Sequence, residues 1–186
     1  VRSRGLGDVY KRQVQLANYG MPPTEPVESG WAQLREAQRR FVAGDAHAGL
    51  AVAIDIGDRY DIHPANKQEL GRRLARAARH VVYGEAIAAS GPVPRDVQRD
   101  GEALRVRFDA VDTALQSYSA SAPIGFEVCG VGSGSCRYAQ ASVHGDTVTL
   151  RVPADLQATR VRYCWADSPV CTCLLYTSPS PRDRTR

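Results

Sequence analysis

The sequence predicts a mixed α/β chain: an α/β segment followed by a small antiparallel β-sandwich. Three observations predict it. A short, almost wholly apolar run at residues 50–56 lies between two stretches with helical periodicity. A Pro- and Gly-containing break falls at residues 90–94. Beyond that break, short runs of alternating apolar and polar residues are separated by turn residues. With 186 residues, 43% of them hydrophobic, the chain can build one core or two small ones.

The elements follow in order. Residues 14–19 form a short apolar segment that reads as a strand leaving a core. Residues 20–29 hold Pro and Gly and read as a loop. Ser29 can cap a helix over about residues 30–41, where Trp31, Leu34, Ala37 and Phe41 recur at helical spacing. Residues 44–49 turn the chain into the run 50–56, which suits a strand buried on both faces of a parallel sheet. After a loop over 57–63, Pro64 fits the first turn of a helix running to about Val82. Leu70, Leu74, Ala77, Ala78 and Val81 line one face of it, and Arg72, Arg73, Arg76 and Arg79 fall mostly elsewhere, on solvated faces. Gly84 fits the helix stop. Past the break, strands are expected at 104–108, 125–128, 137–143, 147–152 and 160–165, with His144-Gly145-Asp146 as a hairpin turn.

Both ends read as foreign. Ser3 to Gln13 and Cys173 to Asp183 back-translate to the two strands of one transposase sequencing adapter, in opposite orientation. Residues 1–13 and 173–186 are therefore expected to be adapter-derived tails, with 14–89 and 90–172 as the two natural parts. The tails carry +3 and +2 of the chain's formal +4, which leaves residues 14–172 at −1. A near-neutral segment gives no reason to expect nucleic acid or an anionic membrane as partner. No apolar run reaches membrane-spanning length.

With Cys173 assigned to the tail, Cys129, Cys136, Cys164 and Cys171 remain, as two C-x6-C pairs. An even set suits two disulfides, with three connectivities open, and free buried thiols are the alternative. The spacing is too wide for a zinc knuckle, and no histidine stands nearby at ligand spacing. Disulfides would imply an oxidising compartment.

The richest chemistry lies in the loop after the buried strand, Asp55-Ile-Gly-Asp-Arg-Tyr-Asp-Ile-His-Pro64. Ligands in open α/β sheets bind at the carboxyl ends of strands. A histidine there, with carboxylates beside it, has the parts for general-base work: one carboxylate holds the Nδ1 proton and Nε2 takes a proton from a nucleophile. The candidates are His63 as base and Asp58 or Asp61 as its acid, with Asp55 closing the strand or capping the turn. Other residues read as structural. Trp31 reads as core and Arg35 as solvated, Asn66 and Lys67 as helix cap or decoration, and His47, His80 and His144 as surface residues. Trp165 and Tyr163 could stack on sugar rings, although Trp165 at an alternating strand position suits a core. The Gly-Val-Gly-Ser-Gly-Ser135 stretch lies between two cysteines and reads as a disulfide loop, neither a nucleophile elbow nor a phosphate loop.

Ala53-Ile-Asp-Ile-Gly-Asp58, Asp61-Ile-His-Pro-Ala-Asn-Lys-Gln-Glu-Leu-Gly-Arg-Arg-Leu-Ala75 and Tyr83-Gly84 together resemble the sialate O-acetylesterase family. Val14-Gln-Leu-Ala-Asn-Tyr19, Ser29-Gly-Trp-Ala-Gln-Leu-Arg-Glu-Ala-Gln38 and Val161-Arg-Tyr-Cys-Trp-Ala-Asp-Ser-Pro169 agree with it. The resemblance implies the C-terminal part of an SGNH-type, flavodoxin-like α/β/α domain ahead of the β-sandwich. It implies a serine esterase that removes O-acetyl groups from sugars, sialic acid or plant polysaccharide, with no metal or organic cofactor. His63 maps onto the family histidine. The position three before it, where such enzymes usually carry the acid, is Tyr60, flanked by Asp58 and Asp61; the resemblance favours Asp58, because the position two before the histidine varies in the family, and sequence proximity favours neither. Residues 14–172 hold no Gly-x-Ser nucleophile block and no oxyanion-hole blocks. The chain is thus expected to contribute the histidine loop of a periplasmic or secreted enzyme and to be inactive alone. The rival expectation is a non-catalytic carbohydrate-binding β-module.

Overall fold

The computed structural model describes residues 10–111 and 113–172, and they divide into two compact units. The first holds the described residues up to Ser90 together with Trp165–Pro169. The second holds Gly91–Cys164 and the described residues from Val170 on.

In the first unit, β1 (Lys11–Val14) pairs in parallel with β2 (Ala48–Ala51), Val14 opposite Ala51. The opening strand lies earlier than the expected 14–19, and it includes Lys11 to Gln13, which the sequence assigns to the tail. A ladder is built from backbone groups, so Lys11 and Arg12 can serve in it with exposed side chains. After Val14 the ladder gives out. The Gln15 N–H still reaches Ala51 O (2.9 Å), but the Leu16 N–H donates to Gln38 Oε1 (3.0 Å) instead. β2 is likewise earlier and shorter than the expected run at 50–56. The Ile56 N–H turns back onto Ala53 O (3.2 Å), so the chain has already left the sheet.

Helix α1 spans Gly30–Ala43, and Ser29 caps it through an Ala32 N–H to Ser29 Oγ bond of 2.9 Å. Its buried face is not the expected stripe: Leu34 and Phe41 are 49% and 46% exposed, whereas Ala32 and Arg35 are buried. Helix α2 spans Lys67–Val81 and does not start at Pro64, because Asn66 is the cap, its Oδ1 accepting the Glu69 N–H (3.3 Å). Ala77 and Ala78 are the residues that α2 buries. A Cβ on Gly49 of β2 would lie 3.1 Å from the Ala77 Cβ, so the bare glycine lets helix and strand approach closely. Gly84, with φ +66, ends the turn after α2 as expected, its N–H on His80 O (3.1 Å).

The second unit contains β3 (Val93–Asp100), β4 (Ala103–Asp109), β5 (Phe126–Cys129), β6 (Arg137–Tyr138), β7 (Ala141–His144), β8 (Thr147–Arg151) and β9 (Arg160–Tyr163). They form two antiparallel sheets, ordered β3-β4-β8-β7 and β6-β5-β9. β3 was not expected from the sequence because five of its eight residues are polar and all but Asp96 are exposed, as an edge strand permits. The expected strand 137–143 divides into β6 and β7. The expected hairpin turn joins β7 to β8, with Gly145 at φ +60. Leu104, Val106 and Phe108 of β4, Phe126 and Val128 of β5, and Val148 and Leu150 of β8 meet in one cluster.

One ion pair lies inside this unit. Glu127 and Arg162 are opposite each other on β5 and β9, with side chains 2% and 3% exposed and Arg162 Nε and Nη2 on Glu127 Oε2 at 2.9 and 2.7 Å. Of the three connectivities, the cysteines adopt Cys129–Cys136 and Cys164–Cys171. Removing one partner of a buried pair leaves an unanswered charge, so Glu127→Ala should cost about 3–5 kcal/mol in chemical denaturation. The double variant Glu127→Leu/Arg162→Met should recover most of that. A single variant as stable as the parent would show that the pair is not buried as described.

Candidate functional site

The histidine loop connects β2 to α2, and a single arginine closes its two ends. Arg73, on the second turn of α2, donates from Nη1 to Val52 O (2.8 Å) and binds both oxygens of Asp55, at 2.6 and 2.8 Å. Its Nε donates to Glu69 Oε1 (3.0 Å). The hydrogen bonds it donates to Asp55, ahead of the burial that opposes them, hold the guanidinium well above its ordinary pKa. Asp55 closes the end of the strand run, as its position suggested. Its partner Arg73, expected on a solvated face, has a side chain only 17% exposed.

A second tie holds the loop from the other side. Asn18 Oδ1 accepts the Gly57 N–H (2.7 Å), and the Gly20 N–H donates to Arg59 O (3.1 Å). The approach is so close that a Cβ on Gly57 would stand 2.1 Å from Asn18 O and 2.7 Å from Asn18 N. Gly57 is a glycine because a neighbouring backbone occupies the place of its side chain.

Residues 16–19 are themselves braced. Arg35 on α1 is 4% exposed, not solvated as the sequence suggested. Its Nε donates to Leu16 O (2.8 Å), Nη2 to Ala17 O (3.1 Å) and Asp167 O (2.8 Å), and Nη1 to Ala166 O (2.6 Å). Burial lowers its pKa to about 10, and the charge of Asp167 opposes that shift. The Trp31 indole N–H donates to Ala17 O (2.7 Å), and Ser29 Oγ donates to Asp167 Oδ1 (2.5 Å).

Within this frame the loop apex is open. The His63 side chain is 87% exposed, and Tyr60 and Ile62 beside it are 79% and 51% exposed. Asp61 Oδ1 accepts the His63 backbone N–H (2.7 Å) and stands 3.6 Å from Nδ1. Asp58 Oδ1 accepts the Tyr60 N–H (2.8 Å) and makes no ion pair with His63. Both aspartates therefore shape the loop by local side-chain-to-backbone bonds, and only Asp61 is brought to the imidazole. At 3.6 Å the contact is charge proximity, short of a hydrogen bond. An accessible imidazole beside a carboxylate can accept and return a proton.

The remaining candidates divide clearly. Tyr163 stacks on Phe126 (centroids 4.2 Å apart) and donates its hydroxyl to Thr172 O (2.6 Å), so its ring is committed to packing. Ser135 Oγ donates to Gly132 O inside the Cys129–Cys136 loop. Among the described residues Glu127, Cys129 and Cys136 cluster at metal-ligand distance, but both sulfurs share a disulfide and the carboxylate faces Arg162. Sequence reasoning missed Asn18, Gly57 and Asp167, whose contacts are long-range. It left Arg73 undistinguished, although its i,i+4 spacing from Glu69 was visible.

No family model matches the chain. It is 30% identical over 132 residues to the sialate O-acetylesterase of Mus musculus, and 30% over 131 residues to that of Rattus norvegicus. Each match covers 64% of this chain, and the chain spans only 24% and 23% of those relatives. The crystal structure of a carbohydrate acetylesterase from Xanthomonas citri is similar, with a TM-score of 0.74 and 40% identity, over 85% of this chain and 36% of that one.

The glycines give a paired test. Gly57→Ala should destabilise the chain by about 1–3 kcal/mol, since the new methyl cannot clear Asn18. Gly71→Ala, in α2 where a Cβ meets nothing within 4 Å, should stabilise it by about 0.5–1 kcal/mol. Thermal denaturation of the two variants checks both signs.

Proposed function

This chain belongs to the sialate O-acetylesterase family, and on that premise we propose that residues 14–172 supply the acid–base part of a serine esterase that removes O-acetyl groups from sugars. The observation that carries this reading is His63, open to solvent at the apex of a loop whose flanks are fixed by Arg73 and Asn18. In this reading His63 Nε2 takes the proton of a serine hydroxyl as its oxygen attacks the acetyl carbonyl. The imidazolium then returns that proton to the departing sugar oxygen, leaving an acetyl-serine. Water attacks the acetyl-serine with His63 again as base, and acetate leaves as the serine regains its proton. Asp61 is the better-supported partner for Nδ1, since a modest rotation of either side chain would close its 3.6 Å gap.

The nucleophile and oxyanion donors belong, in this reading, to a part of the SGNH-type domain outside residues 14–172. The small share of the relatives that the chain spans supports that. Two disulfides support an oxidising compartment, periplasmic or extracellular. No described helix is long and apolar enough to cross a membrane. In this reading residues 1–13 and 173–186 are adapter-derived, and of these 1–9 and 173–186 lie outside the described residues. A parallel strand opening on Lys11 and Arg12 is unusual for a layer that favours apolar residues. The rival binding-module reading loses one of its two sugar platforms with Tyr163 packed on Phe126.

The test is hydrolysis of p-nitrophenyl acetate and of O-acetylated sugars. This chain alone should show no turnover above background. The gene extended in frame through a Gly-x-Ser block should turn over, and His63→Ala in it should lower kcat/KM by about 10²–10⁴-fold. Asp61→Asn should lower it more than Asp58→Asn. Full activity in the extended His63→Ala enzyme would overturn the assignment.

A further inference from the structure

We propose that Trp165–Pro169 is a positioning element of the histidine site, acting through Arg35 and residues 16–20 and held in form by the Cys164–Cys171 disulfide. The inference rests on the reading of His63 given above. Three observations lead to it.

The first is topological. Residues on both sides of this segment belong to the second unit, yet Trp165–Pro169 packs as part of the first. The excursion is closed at its base by the disulfide. That base is tightly built. Cys164 holds φ +51, a left-handed conformation rare for a side-chain-bearing residue, and its N–H donates to Gly125 O (3.0 Å). A Cβ on Gly125 would lie 2.6 Å from the Cys171 Cβ.

The second is the way Arg35 is used. Its three nitrogens donate to main-chain carbonyls, two on residues 16–17 and two on residues 166–167. Backbone carbonyls move only with their chain, so the guanidinium is a cross-brace between two segments far apart in sequence. The Tyr19 N–H on Asp167 O (3.2 Å) and Ser29 Oγ on Asp167 Oδ1 add two further links to the same strap. Without the strap, a nearly buried cation would keep only the carbonyls of Leu16 and Ala17 among its present acceptors.

The third is that residues 16–20 are what the histidine loop leans on. Asn18 and Gly20 carry the bonds to Gly57 and Arg59, and the crowding at Gly57 leaves no slack between them. A displacement of residues 16–20 therefore displaces the loop that ends at His63. The strap touches neither His63 nor Asp61 directly, and its role is to position them.

The experiment is amide hydrogen exchange by NMR on this whole chain. In Cys164→Ser/Cys171→Ser, the Gly20 and Gly57 amides should exchange about tenfold faster or more. Ala77 and Ala78 in α2, and Val148 and Leu150 in β8, should keep their protection. Cys129→Ser/Cys136→Ser should leave Gly20 and Gly57 unchanged. Asp167→Ala, which removes the strap's side-chain link to Ser29 and leaves the Ser29 cap of α1 in place, gives the same readout by a milder change, about threefold, if the cysteine variant does not fold. Unchanged protection at Gly20 and Gly57 overturns the proposal, and so does an equal loss throughout the first unit, which would make the strap a general stabiliser. Because exchange does not depend on turnover, a positive result together with an active extended His63→Ala enzyme would sink the catalytic role given to His63 and leave the strap's hold on its loop standing.

Discussion

A cation kept from water must be answered by whatever dipoles surround it, and Arg35 is answered by the main chain. Its acceptors on residues 16–17 and 166–167 come from opposite ends of the sequence. Forming that fork requires the segment after β1, helix α1 and the late segment 165–169 to be in place together. Much of the first unit's layout follows. The Ser29 cap sets the start of α1, Trp31 reaches Ala17 one turn before Arg35, and residues 18–20 emerge with their polar groups toward the histidine loop. The buried stripe of α1 is displaced from its apolar residues for the same reason. The side of α1 that is covered carries Ala32 and Arg35, whose charge the four carbonyls answer, and Leu34 and Phe41 are left at the surface.

Arg73 solves a different problem with the same side chain. Its fork meets the carboxylate of Asp55 in two parallel bonds and Glu69 one helical turn back, so its charge is compensated locally and its pKa rises where that of Arg35 falls. Charge compensation suits a half-open position, and carbonyl dipoles suit a closed one. The consequences for the histidine loop are complementary. Arg73 fixes where the loop leaves β2 and where it enters α2, and the Asn18–Gly57 contact fixes its path between. The apex needs no packing of its own. Asp58 and Asp61 can then shape it with bonds to backbone two residues on, while His63 stays open to a reaction partner.

Local features were legible in the sequence, and long-range ones were not. Ser29 as a cap, Gly84 as a stop, the turn at His144–Asp146 and the pairing of strands around it all depend on neighbouring residues, and they stand where the pattern put them. The start of α2 was misplaced by three residues because Pro64 and Asn66 are both good helix-opening signals, and the cap with a backbone donor to satisfy prevailed. β3 has the composition of a linker, since an edge strand exposed on both faces needs no apolar residue. His63 and its two aspartates were readable as a constellation, but which aspartate approaches the ring was a matter of loop geometry. Arg35 was misread for a general reason. On an amphipathic helix an arginine is most often solvated, and no pattern within α1 announces carbonyls at residues 166 and 167.

The disulfides make the same point about local and distant constraint. Each joins cysteines seven apart in sequence. Closing so short a loop removes little freedom from the unfolded chain, about 2–3 kcal/mol against nearly 5 for a loop of a hundred residues. Had the crosslinks served chiefly to stabilise a small β-unit, longer loops among the same four cysteines would have served better. Their placement instead fixes the form of two short excursions. One encloses the Gly-rich residues 130–135, whose own side chains could not hold a shape. The other encloses the residues whose carbonyls Arg35 requires. A segment that must present two carbonyls at hydrogen-bonding distance to a buried guanidinium gains more from a rigid base than from added global stability, because a carbonyl displaced by an ångström no longer answers the charge.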